Sequence, residues 1–288
     1  MSISIIVHTL NEEHNIRACL ETAKWADEIV IVDMYSDDKT VEIAREFTES
    51  IYFYERADGF AEPARNFGLS KAQSDWIYIL DADERIPPEL QAEIIETIKN
   101  PGDTFVYRVL MRDYMFGKWV EHGLWNQQWQ IRLFKKGYVS WPPKVHATPE
   151  AVGPIGYFKN PFFHYSQVTI SRFIVKMNTY TDIMAREWYE QGKKANLLKT
   201  FAGSIIAFFK DYFYRQGFRD GGHGFILSVL WAIYYFVPRV KLWELHYKAA
   251  KDTLTPPRIN YRKAIASART HRWRSNVSKF LAEHRPKP

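Results

Sequence analysis

The chain has 288 residues, of which 46% are hydrophobic and 25% charged, which is ordinary for a globular protein and long enough for a sizeable core. The formal net charge is +6, and the single cysteine, Cys19, excludes an internal disulfide framework and fits a reducing cytosol. The N-terminal sequence MSISIIVHTL has no basic region before its apolar run, so no signal peptide is expected.

Short apolar runs and helix signals alternate through the first 80 residues. The run 3–8 predicts a strand, and Thr9 or Asn11 can cap a following helix that ends near Trp25. The same criteria predict strands over 27–34, 50–55 and 75–80, with helices over 41–49 and 61–73. Strands alternating with helices at this spacing indicate βαβ units, and hence an α/β fold with a mostly parallel sheet.

Polar side chains follow these strands at the edge where open α/β sheets bind ligands. Asn11 follows the first strand, Asp33 ends the second, and Asp81 and Asp83 follow the fourth, in the stretch WIYILDADERI. Carboxylates this close together repel one another unless a cation compensates them. The pattern fits either a turn before a helix, since acids favour the first helical turn, or a metal site for a phosphate-bearing substrate. Asp38, in SDDKT, fits a helix cap.

The glycine motifs that bind phosphate are missing from the sequence. There is no GxGxxG after the first strand and no GxxxxGK[ST], so neither dinucleotide nor P-loop binding is indicated. A diphosphate without such a cradle needs a divalent cation and basic side chains. The DxD formed by Asp81 and Asp83 supplies oxygens suited to magnesium or manganese, although one such triplet is a weak signal by itself.

Four motifs in a fixed order are more specific than any one of them: IIVHTLNEE, DEIVIVDxxSxDxT, ARNFGL and WIYILDADE. The set resembles the N-terminal half of a family 2 glycosyltransferase with the GT-A fold. The stretch GKWVEHGLWNQQWQIRLFKKG and the segment RQGFRDGGHGFILSVLWAIYYFVPRVKLWE are similar to the bacterial branch that extends lipopolysaccharide core or similar surface glycans. The resemblance therefore covers most of the chain.

The resemblance implies a nucleotide-sugar site along the edge of the sheet. It assigns four residues to binding of the nucleotide: Thr9, Asn11, Glu12 and Asp33. All four belong to the first two motifs, each of which contains a predicted strand and the turn after it.

The resemblance also implies how the diphosphate is held. It places Asp81 near the ribose and diphosphate, with Asp83 as the main ligand of manganese or magnesium and Asp81 beside it. Arg65 and Asn66 would hold the diphosphate or orient the DxD loop, although an exposed helical position is the alternative for Arg65. Arg132 would stabilise the negative charge of the leaving group.

An inverting transfer, which the resemblance implies, needs a carboxylate to take the proton of the acceptor hydroxyl. Gln128 and Ala147 stand where this branch often has Asp and Glu, and an amide has no useful basicity. The remaining candidates are Glu121, Glu150 and Glu62. We favour Glu121, which lies in a Trp-rich loop, and its alternative role is a solvated loop charge.

Three further features bear on the interpretation of the site. His8 replaces the proline that usually precedes the first-strand threonine in this family. His146 can be an additional metal ligand or a packed histidine. Trp119, Trp125 and Trp129 resemble a platform for stacking a sugar, and Trp125 is assigned to the substrate, whereas the alternative is a hydrophobic cluster.

The C-terminal half has a different composition. We divide the chain into a catalytic domain over 1–165 and a helical region over 166–288. Two apolar aromatic stretches, 200–209 and 225–237, are shorter than the about 20 residues of a membrane-spanning helix. Basic residues follow them, which predicts amphipathic helices on the inner face of the cytoplasmic membrane. A helical core or a homodimer interface fits the same pattern. We find no nucleic-acid-binding motif.

The resemblance implies a metal-dependent hexosyltransferase. Its donor would be a nucleoside-diphosphate sugar, with uridine favoured over guanosine, and its acceptor a hydroxyl of a lipid-linked or lipopolysaccharide-type glycan. Two other classes remain open, a membrane adaptor that kept the fold and a sugar nucleotidyltransferase. The latter is disfavoured because HTLNEE lacks its glycine-rich basic loop.

Overall fold

The computed structural model describes residues 1–55, 62–126, 128–142, 148–167 and 169–250. Its first part is the predicted βαβ series, with these elements: β1 (Ile3–Thr9), α1 (Ile16–Glu21), β2 (Glu28–Asp33), α2 (Thr40–Ala44), β3 (Ile51–Phe53), α3 (Glu62–Lys71) and β4 (Trp76–Asp81). These four strands pair in parallel in the order β3-β2-β1-β4. The α/β fold class and the parallel start of the sheet are confirmed.

The first helix is much shorter than the sequence predicts. Asn11 adopts φ 56°, which is not helical, and its side-chain Oδ1 accepts a hydrogen bond of 2.9 Å from the backbone N–H of Asp37. The segment between Asn11 and Ile16 is therefore a turn fastened to the loop after β2, and the helix begins only at Ile16. A cap chosen from sequence alone cannot foresee this contact between two loops.

The sheet continues beyond β4 with mixed directions. The additional elements are β5 (Glu84–Arg85), α4 (Pro88–Lys99), β6 (Val106–Met115), β7 (Lys118–Trp119), β8 (Gln128–Lys135), β9 (Val139–Ser140), β10 (Glu150–Ala151), β11 (Ile155–Tyr157) and β12 (Phe162–Gln167). Strand β8 pairs antiparallel with both β4 and β6, and β12 pairs parallel with β6. β9 and β10 form a separate two-stranded sheet.

Two apolar clusters cover the two faces of the sheet. Along β4, Trp76, Tyr78 and Leu80 belong to one cluster, and Ile77 and Ile79 to the other. Every residue of β1 is buried. A strand that is buried on both faces explains why β1 is a continuous apolar run without polar alternation.

The C-terminal part is helical. It contains α5 (Ile170–Glu190), α6 (Leu197–Phe209), a π-helical turn (Lys210–Tyr214), a 3-10 turn (Gly217–Asp220) and α7 (Gly222–Ala250). The apolar run 225–237 is thus part of a helix of 29 residues, so the sequence underestimated the length of this element. By length and composition alone, its portion Gly222–Ala249 could cross a membrane, and 28% of its most apolar stretch is buried.

Helices α5, α6 and α7 pack on one another and on the sheet domain. A Cβ added to Gly203 of α6 would lie 2.7 Å from the ring of Tyr235 in α7, so glycine permits this close approach. Phe173 and Leu227 form a small core with Met115 of β6. The predicted division after residue 165 falls inside β12, and the division itself stays a prediction.

Candidate active site

Parallel pairing brings the ends of the first strands to one edge. Thr9 is paired with Asp33, and His8 with Asp81. The predicted nucleotide residues and the first Asp of the DxD motif therefore lie on adjacent strands. This placement follows from the register of the strands, because the carboxyl ends of parallel strands meet at the same edge.

The loop after β2 is ordered by Asp33. Its carboxylate is buried and accepts hydrogen bonds from the backbone N–H of Ser36 at 2.8 Å and from its hydroxyl at 2.6 Å. The Ser36 hydroxyl in turn accepts one from the N–H of Asn11 at 2.9 Å. Asp33 and Asn11 thus shape the loop, and the hydroxyl of the buried Thr9 has no hydrogen-bond partner within the described ranges.

Glu12 and Asp38 lie on the outer side of this loop. The N–H of Glu12 donates to the hydroxyl of Thr40 at 2.8 Å, and its carboxylate accepts a hydrogen bond of 2.7 Å from Asn15. Burial raises the pKa of Glu12. Asp38 accepts hydrogen bonds from the backbone N–H groups of Thr40 at 2.9 Å and Glu13 at 3.1 Å, so it organises the start of α2.

Two arginines hold Asp81. Arg65 of α3 contacts both carboxylate oxygens at 3.1 and 3.2 Å, and Arg132 of β8 approaches at 3.4 Å. Burial alone would raise the pKa of Asp81, but the two guanidinium groups outweigh burial and hold it far below its ordinary range. Asp81 is therefore a carboxylate whose charge is already compensated. Its carboxylate faces the two guanidinium groups, and its part as a metal ligand stays a prediction.

Glu84, the third acid of the stretch WIYILDADERI, completes this ion-pair network, although no role was predicted for it. It is 1% exposed, forms an ion pair with Arg132, and accepts a hydrogen bond of 2.9 Å from the backbone N–H of Asp81. Burial raises the pKa of Glu84, and Arg132 opposes that rise. The guanidinium of Arg132 also lies 4.8 Å from the centre of the Phe162 ring.

An irregularity of β8 accounts for the position of Arg132. Tyr107 of β6 is paired with Leu133, whereas the next residue, Arg108, is paired with Ile131. Arg132 is consequently the extra residue of a β-bulge. A bulge redirects a side chain out of the regular alternation, and bulges are common next to active sites.

The second Asp of the motif lies in a different cluster. Asp83 Oδ2 is 3.5 Å from Nε2 of His164 in β12, and Nδ1 of His164 is 2.6 Å from Oδ1 of Asp113 in β6. Burial alone would lower the pKa of His164, but the two carboxylates outweigh it and raise that pKa well above its ordinary value. His164 and Asp113 were both missed in the sequence, where FFHYS and MRDYM give no signal beyond a polar residue in an apolar strand.

The predicted late histidine ligand, His146, lies outside the described residues, and His164 occupies the position beside Asp83. Asp83 and His164 can hold a divalent cation such as manganese or magnesium only after the imidazole has given up its proton, since a metal-bound histidine is neutral. Such ions take one or two protein carboxylates and complete their shell with substrate phosphates and water, rather than using an all-protein cage. No group of three or more potential metal ligands occurs in the described part of the chain. Asp113 would hold the imidazole in place, as carboxylates do for many metal-bound histidines.

Asn66 and the glutamate candidates Glu150 and Glu62 belong to other elements than Asp83 and His164. Both amide atoms of Asn66 bind the backbone of Trp141, with distances of 2.7 and 2.9 Å, so Asn66 fastens the β9 end to α3. Glu150 is exposed on β10, where it pairs with Ser140. Glu62 is the first residue of α3. Their parts in substrate binding or catalysis stay predictions.

The three tryptophans do not form one platform. Trp119 packs on Phe163 with ring centres 4.7 Å apart, Trp125 packs on Trp231 at 6.5 Å, and Trp129 packs on Tyr157 at 5.1 Å. Trp119 and Trp125 therefore belong to separate hydrophobic clusters, which is the alternative that the sequence left open.

Glu121 lies in a loop that the helical part of the chain holds in place. The carboxylate of Asp220 accepts hydrogen bonds from the N–H groups of Glu121 at 3.2 Å and His122 at 2.8 Å. Asp211 accepts one from Leu124 at 2.6 Å. The side chain of Glu121 is exposed. Both aspartates are buried, and they escaped notice in the sequence as isolated acids among aromatic residues.

Comparisons with known proteins agree with this architecture. Residues 4–152 match the family described as Glycosyl transferase family 2. A lipopolysaccharide core biosynthesis glycosyltransferase, LpsC of Rhizobium meliloti (strain 1021), is 27% identical over 261 residues, which cover 88% of this chain and 96% of the relative. An uncharacterized glycosyltransferase of Rickettsia typhi is 28% identical, with 96% and 99% of the two chains covered.

Among solved structures, residues 1–349 of S. aureus TarS are similar, with a TM-score of 0.44, 15% identity, and 89% of this chain and 93% of that chain covered. The family match spans more than half of the 288 residues. The chain therefore belongs to glycosyl transferase family 2, and the protein is a glycosyltransferase with an α/β fold.

Proposed function

We propose that this protein is an inverting, metal-dependent hexosyltransferase that moves a sugar from a nucleoside-diphosphate sugar to a hydroxyl of a lipid-linked or lipopolysaccharide-type glycan. The observation that carries the proposal is the division of the DxD motif. Asp81 is neutralised by Arg65 and Arg132, while Asp83 faces His164. One carboxylate thus organises cationic groups for a diphosphate, and the other belongs to a pair suited to a divalent cation.

The donor would lie along the edge formed by β1, β2 and β4. Asp33, Asn11 and Thr9 shape the part of the edge that receives the nucleotide, with the free hydroxyl of Thr9 available as a partner. Arg65 and Arg132 would bind the diphosphate, and their positive charge would stabilise the leaving group as it departs. A uridine diphosphate sugar is the favoured donor.

Asp83 and His164 would hold the divalent cation. When bound, manganese or magnesium supplies charge neutralisation to the diphosphate of the donor. Asp113 keeps the imidazole of His164 in one orientation through the 2.6 Å contact.

The acceptor hydroxyl must lose its proton as it attacks. Glu121 is the proposed base, and its backbone N–H is fixed by Asp220 while its carboxylate remains exposed. An exposed carboxylate of this kind can reach an incoming hydroxyl without crossing the protein core. Gln128, at the start of β8, cannot replace it, because an amide does not accept a proton at neutral pH.

The membrane is proposed as the location of the acceptor, on the inner face of the cytoplasmic membrane. Along α6 and the π-helical turn lies an exposed apolar stripe, defined by Leu198, Phe201, Ile205, Phe209 and Phe213, with exposed fractions of 81, 57, 43, 53 and 55%. These residues recur at the spacing of one helix face. Such a face lies in the interface of a bilayer, and a relative named for lipopolysaccharide core biosynthesis supports an acceptor anchored there.

The donor side is tested by thermal unfolding with uridine and guanosine diphosphates and their sugars, with and without manganese. A ligand at a hundredfold excess over its Kd stabilises the native state by about 2.7 kcal/mol. We expect the largest metal-dependent shift with a uridine nucleotide. Stabilisation by NAD alone, or no response to any nucleotide, would refute the transferase proposal. Slow donor hydrolysis with manganese separates an active enzyme from a non-catalytic adaptor.

The membrane side is tested by sedimentation with anionic vesicles. We expect the protein to bind them at low salt and the Phe201→Ser/Phe209→Ser variant to remain in the supernatant. Val152→Ser, which removes an apolar side chain that is 64% exposed on the β10 side of the molecule, is the control. Wild-type protein that stays in solution at low salt would refute the membrane location.

A further inference from the structure

A polar cavity lies between the 121–126 loop and the turn that joins α6 to α7. It has a volume of about 460 Å³ and is lined by His122, Gly123, Leu124, Asn126, Gln128, Tyr214, Arg215 and Gln216. We propose that this cavity binds the acceptor glycan through a neutral sugar unit. The inference rests on the proposed function, since it names the place where the second substrate of that reaction binds.

Two buried carboxylates hold one wall of the cavity, the 121–126 loop, in place. Asp211 and Asp220 are 1% and 4% exposed, and their oxygens accept hydrogen bonds from consecutive parts of the 121–126 loop. The N–H of Gly123 also donates to the carbonyl of Arg215 at 3.0 Å, which joins the two walls directly. Buried charges are costly unless they are hydrogen-bonded. Their presence here therefore means that the loop has one defined conformation.

A glycine in the loop is required by this arrangement. Gly123 has φ +82°, and a Cβ on it would lie 3.4 Å from the carboxylate of Asp211. Any other residue would be strained in this left-handed conformation. A binding wall ordered before the ligand arrives loses less entropy on binding, and this favours recognition of a flexible sugar.

The chemistry of the lining matches hydroxyl groups. Asn126, Gln128 and Gln216 present side-chain amides, each of which has both donors and an acceptor, and Arg215 adds a guanidinium. Tyr214 is 81% exposed and presents an aromatic ring at the rim. Aromatic faces pack against the apolar C–H faces of sugars.

The basic groups of the cavity lining are each paired with a buried carboxylate. Arg215 lies 3.8 Å from Asp211, and His122 lies 3.2 Å from Asp220. The positive groups of the lining thus face carboxylates of the opposite charge directly behind them. A neutral sugar can be bound by the amides and the guanidinium N–H groups without any further charge compensation.

The register of the sheet places the cavity near the donor site. Gln128 is paired with Met111, two residues before Asp113, which contacts His164. Along β8, the backbone at residue 128 is about 13 Å from residue 132, whose side chain contacts Asp81. This separation accommodates a donor sugar and one acceptor sugar between the arginine and the cavity.

The other rim of the cavity adjoins the apolar stripe. Tyr214 and Arg215 directly follow Phe213, the last residue of the stripe, and Phe218 beyond them is 47% exposed. If the lipid anchor of a glycan lies at the apolar stripe, the sugar part of that glycan can therefore reach the cavity. This continuity explains why one short segment carries aromatic residues on its outer side and buried aspartates on its inner side.

The experiment uses the full chain and a deacylated lipopolysaccharide core oligosaccharide as the probe, with binding measured by saturation-transfer NMR and titration calorimetry. The test variants are Gln216→Gly and Arg215→Ala. Gln216 has φ 61°, so glycine keeps this backbone conformation without strain and the variant folds. Arg186→Ala, which removes an exposed arginine of α5, is the control for loss of one positive charge.

We expect wild-type protein and Arg186→Ala to bind the oligosaccharide, and both test variants to bind it about tenfold more weakly, as loss of a hydrogen bond predicts. The thermal shift produced by uridine diphosphate and manganese should be retained in Gln216→Gly. Equal affinity in wild type and both variants, or no binding by wild type, would overturn the proposal. Oligosaccharide binding without any nucleotide response would instead refute the proposed function while leaving this cavity a glycan site.

Discussion

His8 makes the stability of this protein depend on pH in a way that can be calculated. It is 5% exposed, its Nε2 lies 3.2 Å from the carbonyl of Ala64, and its Nδ1 has no hydrogen-bond partner in the part of the chain that the structure describes. Burial, together with the positive charge of Arg65, lowers the pKa of His8 from 6.5 to about 3. The side chain is therefore neutral in the folded state at any physiological pH.

The lowered pKa of His8 determines both the direction and the size of the pH dependence of stability. The unfolded chain takes up a proton at His8 as pH falls below 6.5, whereas the folded chain does not until about pH 3. The contribution of His8 to stability is thus complete above pH 6.5 and is lost as pH falls towards 3. With 1.36 kcal/mol per pKa unit, lowering the pH from 7.5 to 5.0 costs about 2 kcal/mol from this group alone.

The assay compares wild type with His8→Gln, whose amide nitrogen can still donate to the carbonyl of Ala64 but does not titrate. Urea unfolding followed by tryptophan fluorescence at pH 7.5 and 5.0 gives the loss of stability for each protein. We expect wild type to lose about 2 kcal/mol more than the variant, because the remaining titrating groups are common to both. An equal loss in the two proteins, or an NMR pKa for His8 near 6.5, would refute this reasoning.

Four further outcomes are expected. Asp83→Asn and His164→Gln should each abolish manganese-dependent turnover and weaken manganese binding measured by EPR; wild-type turnover without manganese would contradict this. Asp113→Asn should raise the Kd for manganese roughly 10- to 100-fold in a folded protein, and unchanged affinity would exclude its positioning role. Arg132→Met should cost about 3–5 kcal/mol in urea unfolding, since the buried carboxylate of Glu84 loses its guanidinium partner, and a stable variant would argue against the network. Cys19 should react with thiol reagents only after unfolding, because burial raises the pKa of its thiol; rapid native-state labelling would disprove that.

Local patterns in the sequence determined the first half of the sheet and the edge at which the candidate site lies. The run 3–8 and the stretch 76–80 are mostly apolar without strict alternation, which is typical of strands buried on both faces, and the intervening helix signals make those strands parallel. Once they are parallel, Asp33 and Asp81 must emerge at the same edge. This part of the site could be predicted because it depends on the order of elements and on the two-residue period of a strand.

The tertiary structure decided which side chains meet. His164 and Asp113 are 51 residues apart and come together because β12 pairs with β6. Neither strand has a sequence pattern that predicts this pairing. Arg132 points to Asp81 only because β8 contains a bulge, which shifts its alternation by one residue. Asp220 reaches His122 across 98 residues through the packing of the helical part on the 121–126 loop. Amino-acid periodicity encodes the face that a residue occupies, whereas the pairing of distant strands and helices depends on the packing of the whole chain.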